Sequence, residues 1–459
     1  MNIWKTKSPS QLLDAAEHTQ LKKNLSAFDL AALGIGSVVG TGIFVATGEG
    51  AHLAGPGVLI SFIIAAVTCG FCALTYSELA CMFPVAGSTY SYSYVAFGEV
   101  IAWIIGWDLM LEYLVSASAV ASGWSGIFMG LLESAGLKLP KALLTTPLAG
   151  GIIDLPAVII TLLITWILFI GIRESARINN IIVILKVAVI LLFIFLGVRH
   201  VNLANLKPLM PFGWNGVMAG AAIIFFAYIG FDAVSTAAEE TKNPKKDVPL
   251  GLMICLGVVI VLYVAVAFVL TGIVPFKEIV VDNALPGALA SIGIRWGGAL
   301  VAAGAIVGMV STLLVTLYGQ IRIFMVMARD GLLPAAFSKV HPKHRTPHIC
   351  TWITGVATAL IAGLFPLPMI INLCNIGTLF AFVLVSVGVI ILRKTRPEVE
   401  RKFKTPGVPF TPLITIVFCF YLMASLPGVT WIRFGAWLAA GLLIYFLYGF
   451  RHSKIQKTA

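Results

Sequence analysis

Charge is scarce in this sequence. Asp, Glu, Lys and Arg make up 11% of 459 residues, and 59% are hydrophobic; soluble domains carry roughly 25% charged residues. A soluble fold of this composition would have too little polar surface to cover its core, so that class is excluded. There is no low-complexity segment and no loop long enough to form a separate domain. The first 25 residues hold no long apolar run and no small-residue cleavage pattern, so no removable signal peptide is expected. Ser10 to Asn24 is mildly amphipathic and is expected to lie along a membrane surface. The seven cysteines fall almost entirely inside apolar runs and read as small buried hydrophobes. Cys69 and Cys72 have metal-ligand spacing but no partner pair. His341, His344 and His348 crowd one loop that reads as solvated and basic. No metal or other cofactor is expected. G-x-S-x-G and H-E-x-x-H are absent and no apolar run holds a His pair, which argues against an intramembrane enzyme.

Apolar runs fill the chain instead. They fall near 27–50, 56–82, 99–130, 152–172, 178–199, 214–238, 249–274, 296–326, 349–366, 369–392, 410–428 and 430–450. Each is of the order of the 20 residues that cross a bilayer, so an all-α membrane protein of twelve transmembrane helices is expected, with both termini on one side. With those termini cytoplasmic, 23 of the 31 Lys and Arg lie inside, 7 outside, and Lys186 within a span. Cytoplasmic loops hold such an excess, so the termini are expected in the cytoplasm of a cell-membrane protein. The net charge of +11 is then a product of topology, and no nucleic-acid partner is expected.

Two runs carry unusual interiors. Span one reads GIGSVVGTGIF from Gly34 to Phe44, and glycine costs about 1 kcal/mol per helix position relative to Ala. Either small residues pack this helix tightly or the helix breaks. Span six reads FFAYIGFDAVSTAAEE from Phe225 to Glu240, with Gly230 and Asp232 inside the apolar stretch. Irregular backbone at membrane depth persists only where it lines a protein cavity. The two segments are five spans apart and enter from opposite faces, the sequence mark of an inverted-repeat transporter. A helix that starts at mid-membrane offers N–H groups and a positive dipole end, which suit a carboxylate. One that stops there offers carbonyls, which suit an ammonium. A zwitterionic amino acid uses both.

These stretches, with YSELACMFPVAGSTYSY from Tyr76, GWDLMLEY from Gly106, TKNPKKDVPLG from Thr241 and RDGLLP from Arg329, resemble the amino acid–polyamine–organocation superfamily. Within it the match is to bacterial relatives of cationic amino acid transporters, over almost the whole chain. The resemblance implies the leucine-transporter fold, a 5+5 inverted repeat with discontinuous helices 1 and 6. Residues 27–199 would form the first repeat and 214–392 the second. Two extra helices would occupy 410–450, and 1–26 and 451–459 would be cytoplasmic ends. It implies that a substrate carboxylate meets N–H groups of Gly40, Thr41 and Gly42. The substrate ammonium would meet carbonyls of Val38, Phe226, Ala227 and Ile229, and Phe226 and Phe231 would be gate or pocket aromatics. It also implies that Lys186, in span five, takes the place of a sodium ion beside span one.

A charge at mid-span is expensive and usually functional, and burial lets a lysine exchange its proton near neutrality; Lys186 is therefore expected to carry the coupling proton. Asp108 and Glu112 are four apart and share a helix face, and Asp232 follows the span-six break. These carboxylates would relay protons, attract a basic side chain, or serve as structural partners. Glu78, Glu239 and Glu240 lie near cytoplasmic ends, where a structural or gating role is expected. Thr316 falls where related cationic transporters have a small hydroxyl residue, leaving room for a long side chain. The expected function is secondary active, proton-coupled uptake of L-amino acids, cationic such as arginine or lysine, or small neutral such as alanine. An amino acid/amine exchanger, a polyamine importer and a non-transporting amino-acid sensor remain as alternatives.

Overall fold

The computed structural model describes residues 2–8, 25–83, 85, 88–137, 139–171, 176–344 and 346–457; the Ser10 to Asn24 segment lies outside them. Among the described residues the chain is helical, with two isolated β-bridges and no strand. Seven helices are long and apolar enough to cross a membrane, and five further apolar helices are shorter. All lie on the apolar runs read from the sequence.

The first helix, α1 (Ala27–Val38), opens on a capping box. The Ser26 hydroxyl accepts from the Asp29 amide, and the Asp29 carboxylate accepts from the Ser26 amide. Two donors orphaned at a helix start are thereby satisfied. The helix stops at Val38, leaving Val39 and Gly40 outside it, and a π-helical turn over Gly42–Ala46 then leads into α2 (Thr47–Ala54). A Gly55–Gly57 turn joins α2 to α3 (Val58–Met82). The expected gap between the first two runs is therefore a helical turn; Pro56 stands in its first turn, where its missing N–H breaks no bond.

The short α4 (Ser88–Ala96) precedes α5 (Glu99–Ser134), α6 (Leu155–Ile170) and α7 (Ala176–Gly197). The second irregular span consists of α8 (Gly213–Ile224), a 3-10 turn over Phe225–Tyr228, a non-helical stretch at 229–232, and α9 (Ala233–Thr236). Gly230 there has φ +112°, a conformation that favours glycine. Then follow α10 (Pro244–Ile273), α11 (Ala284–Ser291), α12 (Arg295–Arg329), α13 (His348–Leu364), α14 (Leu367–Thr395), α15 (Phe410–Ala424) and α16 (Gly428–Ile444).

Helices α1 and α3 pack along α10, and α8 lies against α2 and α3. A second group forms where α5 packs along α12 and α14, and α6 along α13. α7 touches α12, α1 and α10. Large apolar side chains such as Ile184, Phe195, Val261, Val417 and Ile432 are exposed on the outer helix faces. Contiguous apolar surface of this kind suits lipid and would aggregate in water.

The two chain ends meet. The Asn2 amide donates to Gln456 Oε1 at 3.0 Å, and Gln456 Nε2 donates to the Asn2 carbonyl at 2.7 Å. Lys7 pairs with Asp330 at 2.8 Å. At the same end of the sequence, Leu25 forms a parallel bridge to Thr241, with Leu25 N donating to Glu240 O and Lys242 N to Leu25 O. Glu78, at the end of α3, is buried and clamped. Arg393 donates to it through Nε at 2.9 Å and Nη2 at 2.7 Å, the Thr405 amide donates at 2.8 Å, and Arg401 lies at 3.4 Å.

Candidate functional site

The glycines of span one each meet a different element. A Cβ on Gly34 would lie 2.8 Å from Cys255 Sγ of α10, and one on Gly36 2.6 Å from Val183 of α7. On Gly40 it would lie 3.4 Å from Thr312 of α12, and on Gly42 2.3 Å from Ala227 Cα in the 3-10 turn. Tight packing and a broken helix are thus both present: Gly34 and Gly36 pack closely before the break, and Gly42 makes the closest approach just after it. The second break answers the first: Gly230 packs on Ser37, whose carbonyl carbon and oxygen would both lie 3.2 Å from an added Cβ. Gly42, Ala227, Ser37 and Gly230 therefore bring the two irregular segments into backbone contact.

A helix that stops early leaves carbonyls without partners. The structure supplies donors from distant helices. Tyr263 of α10 donates its hydroxyl to the Val38 carbonyl at 3.1 Å. Lys186 of α7 donates to the Gly36 carbonyl, and to Thr312 Oγ1 at 2.8 Å. Asn375 of α14 donates to the carbonyls of Ala222 at 2.6 Å and Ile223 at 3.3 Å, at the end of α8. Lys186 is fully enclosed, and Gly308 makes its room: a Cβ there would lie 2.9 Å from Lys186 Cγ. Lys186 thus joins α1 to α12 immediately before the first break.

Thr41 is buried against Gly123 of α5, and its hydroxyl oxygen has no hydrogen-bond partner among the described residues. Phe226 is buried and its carbonyl accepts from the Ile229 amide at 3.3 Å. Ile229 is extended and half-buried. Each of the Val38 and Phe226 carbonyls retains a second lone pair for a further donor. Thr316 sits one turn along α12, half-buried, with its hydroxyl donated to the Thr312 carbonyl at 2.8 Å. Thr312, not Thr316, touches both Gly40 and Lys186.

Glu112 and Asp232 are buried and close enough to act on one another electrostatically. The Asp232 carbonyl accepts both the amide and the hydroxyl of Ser235, at 2.8 and 2.6 Å. Asp108 is fully buried one turn from Glu112, facing Gly377 of α14, and neither of its carboxyl oxygens has a hydrogen-bond partner among the described residues. It is close enough to Glu112 to act on it electrostatically. Phe231 is buried against Tyr76 of α3 and Phe382 of α14, with ring centroids at 6.2 and 5.4 Å.

Outside the spans, the rings of His341 and His344 pack at 5.0 Å, with His348 at 5.4 Å from His341 and Phe169 at 4.9 Å from His344. His341 Nδ1 accepts from the Lys343 and His344 amides. Desolvation holds the His341 pKa below the usual histidine value, helped by His344, His348 and Lys343.

Thr312, Tyr263 and Asn375 were not singled out from the sequence. Each is one of several polar side chains in its apolar run; for Thr312 the available signal was its position one turn before Thr316 on the same face.

Broken helices in contact, freed carbonyls capped by remote side chains and lipid-suited outer faces define a multi-pass membrane permease. A family model described as amino acid permease matches residues 25–447, and the chain belongs to that family. It is 49% identical to the branched-chain amino acid permease BcaP of Bacillus subtilis (strain 168), with 99% of each chain covered. It is 48% identical to the methylthioribose transporter of the same organism, over 98% of this chain and 99% of that one. It is 38% identical to the vacuolar cationic amino acid transporter 4 of Arabidopsis thaliana, over 83% of this chain and 64% of that one. These relatives are permeases and transporters, not enzymes.

Proposed function

We propose that the protein is a proton-coupled L-amino-acid transporter of the cell membrane that works by alternating access. The observation that carries this reading is the contact of the two breaks beside a buried Lys186. The amides that begin the resumed helix at Gly40, Thr41 and Gly42 would receive the substrate carboxylate, since the first amides of a helix lack carbonyl partners of their own and lie at its positive end. The Thr41 hydroxyl would add a further polar group. The carbonyls of Val38, Phe226, Ala227 and Ile229 would receive the ammonium.

The twelve-span topology and the 5+5 repeat belong to the same proposal. The packing of span two on seven, three on eight and four on nine (α3 on α10, α5 on α12, α6 on α13) supports it, because such pairs would be related by the repeat. The meeting of Asn2 with Gln456 supports termini on one side, and the excess of basic residues in alternate loops supports the cytoplasm.

Lys186 would carry the coupling proton. In its charged form it holds the Gly36 carbonyl and Thr312, and loss of the proton weakens that tie, since hydrogen bonds to charged groups are the stronger ones. The side-chain end is where the relatives diverge. The buried carboxylates Glu112 and Asp232 favour a cationic side chain such as arginine or lysine, with Thr316 leaving room and small neutral amino acids such as alanine also fitting. Similarity to BcaP favours a branched apolar one.

Uptake into proteoliposomes tests the proposal, with arginine, alanine, leucine and methylthioribose offered with and without an inward proton gradient. Gradient-driven accumulation of an amino acid is expected. Saturable binding without uptake would make the protein a sensor, and uptake only against preloaded substrate would make it an exchanger. Thr316→Met is expected to weaken arginine binding more than alanine binding; equal effects would remove Thr316 from the pocket.

A further inference from the structure

Four aromatic rings cluster around the second break. Tyr76 meets Phe231 edge-on at 6.2 Å and Phe382 at 5.4 Å, Phe231 meets Phe382 at 5.4 Å, and Phe225 meets Phe382 at 5.9 Å. All four side chains are buried. They come from three elements: α3, the irregular part of span six, and α14. The Tyr76 hydroxyl is within hydrogen-bond distance of the Thr89 hydroxyl of α4, and Thr89 is itself buried. Helix α4 packs on α5 and on α14. One hydroxyl pair thus ties a ring of the cluster to a helix outside it.

Direction follows from chain order. On α14, Cys374, Thr378 and Phe382 share a face at successive turns. Cys374 lies beside the Glu112 carbonyl at 3.8 Å. Phe382 is eight residues further on, about 12 Å along the helix, toward the basic end at Arg393. Phe231 likewise follows Phe226 toward the basic segment at Lys242. Asp232 and Glu112 both act electrostatically on Tyr76, so the rings lie next to the acidic pair, with Phe382 on the side toward the basic end.

We propose that Tyr76, Phe231 and Phe382 seal the substrate path on its cytoplasmic side, and that the Tyr76–Thr89 hydroxyl pair is the catch that holds Tyr76 in the seal. Tyr76 is a positioning residue here and touches no substrate. The proposal rests on the transporter reading. Opening toward the cytoplasm requires the rings to part, and the pair sets how often that happens. Because the bond joins two hydroxyls, Tyr76→Phe or Thr89→Val removes it while keeping the ring or the side-chain shape.

The test uses the full-length protein in inside-out membrane vesicles, with the other six cysteines replaced and Cys374 kept as reporter. An impermeant maleimide is applied from the cytoplasmic side. Tyr76→Phe and Thr89→Val are each expected to speed Cys374 labelling about threefold to tenfold, the range set by one ordinary hydrogen bond. The double variant is expected to match either single one, because both remove the same bond, and Thr89→Ser to behave as wild type. Labelling rates at the wild-type value in both single variants, or effects that multiply in the double variant, would overturn the catch. Amino-acid uptake by the same proteins separates the two readings. Normal uptake with unmoved labelling sinks the seal alone. Altered labelling in a protein that transports nothing sinks the transporter reading and leaves the catch standing.

Discussion

Gly42 offers the sharpest perturbation of the two breaks. A methyl group there would lie 2.3 Å from Ala227 Cα, 2.8 Å from Ala227 Cβ and 3.1 Å from Ala227 N. Carbon atoms rest at about 3.5–4.0 Å, so the irregular segments of spans one and six would have to separate by more than 1 Å or so. The obstructing atoms include backbone and cannot rotate away. Overpacking of this kind costs roughly 1–3 kcal/mol. If substrate bridges the two segments, the separation acts on affinity, and that cost corresponds to about a fivefold to 150-fold rise in Kd. Gly70→Ala is the control, because a Cβ there meets nothing within 4 Å. It is expected to gain about 0.5–1 kcal/mol from helix propensity. Equilibrium binding of a transported amino acid, with thermal melting of the same purified samples, gives the result. Wild-type affinity in Gly42→Ala, at any melting temperature, would refute the argument that both segments hold one ligand.

Lys186→Ala is expected to abolish uptake driven by a proton gradient while purified protein still binds substrate; unchanged gradient-driven uptake would remove Lys186 from coupling. Arg393→Gln leaves the buried Glu78 without its two-bond partner and is expected to destabilise by about 1–3 kcal/mol, the cost of lost hydrogen bonds to a charged group, with Arg401 still paired to the carboxylate; a melting temperature within a degree of wild type would show that Arg401 and the Thr405 amide suffice. Since the His341 pKa is lowered, the folded loop prefers the neutral ring. That preference is in place above the ordinary histidine pKa of about 6.5 and is lost as pH falls through the depressed value. Imidazole resonances should report a low His341 midpoint, raised toward the ordinary value by His344→Gln; an ordinary midpoint in the wild type would contradict the ring stack.

The irregular spans were legible because lipid tolerates so little that glycine and aspartate inside an apolar run stand out. Their exact form was less so. The expected break centred on Gly40-Thr41-Gly42, whereas Val39 and Gly40 lie outside the helices and Thr41 already has helical angles, φ −52° and ψ −32°. Sequence composition marks the neighbourhood of a break; the dihedral that absorbs it depends on which neighbour each glycine meets. Lys186 was conspicuous as a charge among isoleucines and leucines. Tyr263 and Asn375 were not, because other polar side chains share their runs and each has many possible partners. They lie more than 150 residues from the carbonyls they cap. The meeting of Asn2 with Gln456 is less readable still, since nothing local in either end anticipates the other.

The bridge between Leu25 and Thr241 has a mechanical consequence. It fastens the entry to span one onto the segment that follows span six, on the opposite side of both breaks from their contact at Gly42 and Ala227. A swing of either half-helix about its break then drags the other with it. Two flexible points joined at both ends behave as one linkage with a single hinge axis. The halves of the two spans that carry Leu25 and Thr241 are therefore tied to tilt as a pair, and a motion that begins at one break is shared by the other without any signal passing through the ligand.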